Sequence, residues 1–177
     1  ATAPSSPRRS PCSAAPAAVV AVVACTFYAI HLNQPGFFDN EGRYAEVARQ
    51  MRQTGDWITP RLDDTLFLNK PPLAYWLTGA AFALFGRNEW ARLVSVLAVG
   101  GGVFATARLG ALLYGEATGL LTALFAASTF GLILEARTLR PDALLIASVT
   151  TALLCWAHAA RADRDRRMRW LIGLYVA

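Results

Sequence analysis

The feature that most limits what this chain can fold into is a set of apolar blocks long enough to cross a bilayer. Four of them run from Ala14 to Leu32, Trp90 to Leu113, Ala117 to Leu134 and Ala143 to Ala160. Each is close to or above the roughly 20 residues that a helix needs to traverse the hydrocarbon core. Their apolar residues run continuously and do not gather into the single stripe of a soluble amphipathic helix. A chain of 177 residues has room for an ordinary soluble domain, but 55% hydrophobic and only 16% charged residues argue against one. The expected class is an all-α integral membrane protein with about four complete spans.

Charge sets the sidedness. The net charge of +5 does not point to nucleic acid, because the arginines cluster at block ends and form no basic face interleaved with aromatics. Arg8-Arg9 precede the first block, and Arg161 to Arg169 form the most basic short loop. Both are expected on the cytoplasmic side, so an even number of crossings separates them. The four long blocks satisfy that count. Pro72 to Gly86 is apolar too, but it is short and would make the count odd, so it is expected to lie at the outer interface. Residues 1–13 then form a cytoplasmic tail, 33–89 one large external loop, and Glu135 to Asp142 a second loop on the same face. Trp170 to Ala177 reads as the start of a further span, and the whole as the N-terminal part of a longer protein. Gly100-Gly101-Gly102 and Ala105 read as small residues for close helix packing. Cys12, Cys25 and Cys155 lack metal-ligand spacing and read as small apolar residues.

The polar content, and with it the candidate chemistry, lies in the external loops. Asn40 to Gly55 predicts a short amphipathic helix with Tyr44, Val47, Ala48 and Met51 on one stripe. Asp39 or Asn40 can cap its start, and Gly55 suits the left-handed position after its end. Such a helix is expected to lie flat on the membrane with its arginines toward water. Asp39 and Glu41 complement the helix dipole in the plain reading. In the functional reading, a carboxylate held near Arg43 and Lys70 acts as a base or metal ligand. Lys70, followed by Pro71-Pro72, is either an interfacial anchor or a cation held toward a lipid-linked phosphate. Arg137, Arg140 and Asp142 place two cations and an acid at the top of the last complete span, where Asp142 is either a helix cap or part of a site.

These segments together resemble the membrane glycosyltransferases that use polyprenyl-phosphate sugars, the family of protein O-mannosyltransferases and the lipid A aminoarabinose transferase. The resemblance is carried by Glu41-Gly42-Arg43-Tyr44-Ala45-Glu46, Gly55-Asp56-Trp57-Ile58-Thr59-Pro60, Asn69-Lys70-Pro71-Pro72-Leu73-Ala74-Tyr75-Trp76, Glu89-Trp90-Ala91-Arg92-Leu93 and Arg140-Pro141-Asp142. Each piece is weak alone; their order and spacing are fairly specific.

The resemblance implies a multi-span GT-C-like fold and inverting transfer of a sugar from a polyprenyl-phosphate donor to a lipid A-type glycolipid or a protein hydroxyl. It implies a bacterial inner membrane with the site on the periplasmic face. Asp39, Glu41 and Asp142 are then the catalytic candidates. Lys70, with Arg43, Arg137 and Arg140, is the candidate set for the donor phosphate. The family writes Asp-Glu-x-Arg-Tyr-Ala-Glu, so Asn40 stands where the aspartate is expected. Either Asp39 serves through a small shift, or this copy is impaired. Some relatives carry a metal-binding glutamate before the lysine; here that position is Asn69, and a divalent metal is left without a clear ligand set. The alternatives are a non-catalytic membrane protein, transporter-like or a scaffold, and a lipid-linked oligosaccharide transferase. The span centres are nearly uncharged, with Arg108 near a span end, which favours interfacial chemistry over transport.

Overall fold

A computed structural model describes residues 14–33, 36–37, 40–63, 65–86 and 89–177, apart from the side chain of Asp165. It is almost entirely helical: α1 (Ala15–Ala29), α2 (Glu41–Thr54), a two-residue strand pair β1 (Arg61–Leu62) and β2 (Thr65–Leu66), then α3 (Leu73–Phe85). A 3-10 turn at Glu89–Arg92 leads into α4 (Leu93–Tyr114), followed by α5 (Glu116–Ser128), α6 (Phe130–Arg137), α7 (Pro141–Ala159) and α8 (Arg164–Val176). The strands pair antiparallel, Arg61 with Leu66 and Leu62 with Thr65.

α4 is the central post and touches α1, α5, α6 and α7. Small residues make that possible. A side chain on Gly100 would collide with Cys25 on α1, and one on Gly119 of α5 would sit 2.6 Å from the Ala111 Cβ. Gly102 faces Ile146 and Thr150 on α7, whereas Gly101 meets nothing. Large apolar side chains point outward instead: Val22, Leu97, Phe125 and Leu145 are all exposed. That is the inverse of a soluble bundle, and it suits a lipid surround, where packing rather than apolar burial holds helices together.

Two helices are long and apolar enough to cross a membrane unaided, Glu89–Tyr114 and Pro141–Ala159. The expected third span, Ala117 to Leu134, is not one straight helix. It is the pair α5–α6, bent by 60° at Thr129. Thr129 has extended backbone, and its Oγ1 donates to the Phe125 carbonyl at 2.8 Å. The Ser128 hydroxyl donates to the same carbonyl. Hydroxyls that back-bond to the preceding turn compete with the helix ladder and bend it. The first expected span is the shorter helix α1, whose 15 residues reach about 22 Å at 1.5 Å per residue.

The segment between α1 and α4 has an interior of its own. Tyr44, Val47, Ala48 and Met51 of α2 pack with Tyr75 and Phe82 of α3, and with Ala91 and Leu139. The apolar stripe of α2 is therefore buried inside the protein, against α3. The stripe meets α3 because α3 is itself apolar and folds back against it. Gly55 follows α2 with φ +74 and donates its amide to the Met51 carbonyl. Asn40 is the N-cap residue, but it has helical dihedrals and makes no side-chain cap hydrogen bond. At the far end, the basic segment is not all loop: α8 begins at Arg164 and packs on α7, with Trp170 stacked on His158 at 4.1 Å.

Candidate active site

The site residues gather where the external-loop unit meets the first turn of α7. Pro72 is the N-cap residue of α3 and already has helical dihedrals, so the backbone soon after Lys70 turns into a helix. This turn aims Lys70 across to α7. There the chain passes through extended Arg140 into Pro141 at the first helical position, which puts Asp142 inside the first turn. Asp142 is thus not the N-cap; Arg140 holds that place. Lys70 Nζ donates to Asp142 Oδ1 at 2.9 Å, across 72 residues of sequence. Both side chains keep solvent access, 32% for Lys70 and 46% for Asp142. The bond from Asp142 and its negative charge hold the Lys70 ammonium above the ordinary lysine pKa, so it stays a cation.

This pair closes the polar end of a groove of about 320 Å³ between α3 and α7. Leu73, Leu144 and Leu145 form its apolar walls, and Ser148 lines it further along α7. A cation at the mouth of an apolar trough suits a ligand with a phosphate at one end and hydrocarbon at the other. A larger cleft of about 470 Å³ runs beside α2 and the hairpin, but it contains neither Lys70 nor Asp142.

The other expected residues divide sharply. Asp39 lies outside the described residues. Glu41 is almost fully buried, at 1% exposure. Its Oε1 accepts from Arg92 Nε at 3.0 Å and from the Leu139 amide; its Oε2 accepts from Arg92 Nη2 at 2.9 Å. In this structure both carboxylate oxygens of Glu41 are thus engaged by Arg92 and the Leu139 amide. Arg137 Nη1 donates to the carbonyls of Tyr28 and Ile30, so it ties down the end of α1. Arg43 is exposed on α2, and among the described residues no hydrogen bond or ion pair joins it to Lys70 or Asp142. Arg140 reaches Glu135 at 3.6 Å.

Two residues escaped the sequence reading. Glu135, at the end of α6, lies close enough for its charge to act on Lys70, and its Oε2 is buried with no hydrogen-bond partner among the described residues. Arg92 holds Glu41 and also donates to the carbonyls of Leu32 and Gly36. A lone arginine at the head of an apolar block was the available signal, since such a charge is usually paired or functional. Among the described residues, no three His, Cys, Asp or Glu side chains are grouped to hold a metal ion.

Residues 69–177 match the family model described as dolichyl-phosphate-mannose-protein mannosyltransferase. The chain belongs to this family. A relative from Pseudomonas aeruginosa, an undecaprenyl phosphate-alpha-4-amino-4-deoxy-L-arabinose arabinosyl transferase, is 31% identical over 94% of this chain and 31% of its own length. A second arabinosyl transferase, from Pseudomonas fluorescens, is 29% identical over 85% of this chain and 27% of its own length. The crystal structure of ArnT from Cupriavidus metallidurans bound to undecaprenyl phosphate superposes with a TM-score of 0.81 and 25% identity. That match covers 89% of this chain and 30% of ArnT. The chain therefore spans less than a third of the relatives it matches. The fold of this membrane-integral family member is that of the matched 30% of ArnT.

Proposed function

We propose that the full-length protein transfers a sugar from a polyprenyl-phosphate donor to an acceptor, a lipid A-type glycolipid or a protein hydroxyl, at the external face of a bacterial inner membrane. The observation that carries this reading is the Lys70–Asp142 pair at the mouth of the apolar groove. It is supported by the likeness to a structure bound to undecaprenyl phosphate and to arabinosyl transferases that use that carrier.

In this reading the polyprenyl tail lies along the leucines of α7, and the phosphate meets Lys70, with Arg140 close by. Asp142 holds the ammonium in place until the phosphate arrives, then shares it. The acceptor oxygen attacks the anomeric carbon from the face opposite the phosphate. The bond from that carbon to the phosphate oxygen breaks, and its electron pair leaves on the phosphate, whose charge Lys70 neutralises. The acceptor proton goes to a carboxylate base, which the sequence assigns to Asp39. Four crossings, by α1, α4, the bent pair α5–α6 and α7, keep both external loops on one face. α1 and α3 are both short, with 15 and 13 residues; α3 is left out of the count because the basic segments require an even number.

The test is transfer from a labelled polyprenyl-phosphate sugar in membranes carrying the full-length protein. Lys70→Ala is expected to weaken donor handling, and Asp39→Ala to cut turnover by orders of magnitude. A Lys70→Ala protein with unaltered transfer would sink the phosphate role. Full activity in Asp39→Ala would exclude it as the base, and comparison with Asn40→Asp then shows which position the site uses.

A further inference from the structure

Arg92 and Glu41 form the best buried ion pair in the molecule's described part, and the transfer reading leaves both without a role. Their side chains are 4% and 1% exposed. The guanidinium spans three stretches of chain: the end of the first apolar block through the Leu32 carbonyl at 3.1 Å, the loop through the Gly36 carbonyl at 2.8 Å, and α2 through Glu41. It also lies 5.7 Å from the ring centroid of Phe37. In the same turn, Glu89 Oε1 accepts from the Gly36 amide at 2.9 Å. Glu41 then passes the connection on, because its Oε1 also accepts from the Leu139 amide.

Leu139 is three residues before Asp142, in the short extended link between α6 and α7. Its side chain is fixed as well, buried at 4% exposure among the α2–α3 residues. From there Arg140 is extended and Pro141 is rigid in φ, so little freedom remains before Asp142. On the other side, Lys70 leads directly into α3, which packs on α2. One ion pair thus sets α2 against both chains that carry the Lys70–Asp142 contact.

We infer that Arg92 and Glu41 are positioning residues: their buried pair fixes the register of the two external loops and so holds Lys70 and Asp142 at the mouth of the donor groove. Neither side chain touches substrate. This inference rests on the transfer reading only for its effect on rate; the geometry it asserts is separate.

The experiment uses the full-length protein with its cysteines replaced and a cysteine pair introduced by Ala74→Cys and Ser148→Cys, which line the groove from α3 and α7. Reaction with a short bis-maleimide reports how constantly the two walls face each other. Glu41→Gln is expected to slow crosslinking several-fold. It should also lower the turnover of labelled donor by about 100-fold, the scale set by an ångström of misplacement at a reacting centre. The pH–rate profile should keep its shape. Arg92→Lys should behave alike, since an ammonium cannot bridge Leu32, Gly36 and Glu41 together. If Glu41→Gln fails to accumulate, Glu41→Asp serves, with smaller changes in the same directions. Unchanged crosslinking, or full turnover in a slowly crosslinking variant, overturns the inference. Loss of one limb of the pH profile in Glu41→Gln also overturns it, because Glu41 would then be the base. If no variant or parent transfers sugar, crosslinking alone judges the tie, and it is the transfer reading that fails.

Discussion

In the helix bundle the interior is lined mostly by small residues, with Tyr28 the large exception, and many large ones face outward; the unit made by α2, the hairpin and α3 buries several large ones. On α4 most buried positions are small, Ala98, Gly100, Gly102, Ala105, Ala107 and Gly110 among them, with Val96, Val99 and Val103 between, while Leu97 and Phe125 are exposed. In the loop unit Tyr44, Met51, Tyr75 and Phe82 are buried. The difference follows from what surrounds each region. Lipid offers no gain for hiding a leucine, so the bundle gains from close backbone approach. Water does offer that gain, so the loop unit builds an ordinary core. The candidate site sits where the two meet, which gives it a rigid polar support on one side and an apolar trough on the other.

That contrast is open to attack by substitution, read as thermal unfolding of the full-length protein in detergent. The largest effect is expected at the junction. Arg92→Met leaves Glu41 buried and uncompensated, which should cost about 3–5 kcal/mol. Pairing it with Glu41→Gln should recover part of the loss. Inside the loop unit, Met51→Ala should cost about 2–5 kcal/mol through a cavity. If it is nearly silent, that unit has no core of its own. In the bundle the order inverts. Gly119→Ala, which drives a methyl against Ala111, should cost about 1–3 kcal/mol by overpacking. Leu97→Ala removes far more volume from an outward-facing position and should stay within about 0.5 kcal/mol. A Leu97→Ala protein less stable than Gly119→Ala would break the comparison.

The smallest effect concerns pH. Asp56 Oδ1 accepts from the amides of Ile58 and Thr59 at 3.0 Å each. These bonds hold its carboxyl below the ordinary aspartate pKa. A depressed folded value means the contribution is present above the unfolded pKa and lost as pH falls through the folded one. Asp56→Asn should therefore lower stability slightly at neutral pH and leave the acid end nearly unchanged, so that the acid side of the stability curve flattens. Lys70 has the opposite sign. Its raised value keeps the ion pair intact below the ordinary lysine pKa and loses it only as pH rises through the higher, folded one.

Much of this architecture was legible from residue order. Apolar block length marked the two helices that are long enough to cross, Glu89–Tyr114 and Pro141–Ala159, and the structure joins Lys70 to Asp142, which the distribution of arginines predicts to lie on one face. The helix over Glu41–Thr54 followed from a 3.6-residue stripe and Gly55. Its destination did not, because a stripe of that kind serves a membrane surface and a protein interior equally well. The break at Thr129 was hidden inside an apolar block, where two adjacent hydroxyls were the sole sign. The pairing of Glu41 with Arg92 was not legible for a related reason. Each lies at a helix start, where acids and bases have local duties, and only the tertiary fold shows that they face each other.

The central claim is that Lys70 of the first external loop and Asp142 of the second work as one site. A double-mutant cycle on donor transfer by the full-length protein tests it most directly, with Lys70→Ala, Asp142→Ala and the two combined. The account predicts strong coupling: the combined variant should transfer sugar at nearly the rate of the worse single variant. Losses that simply add in free energy, or a single variant with unaltered transfer, would contradict it.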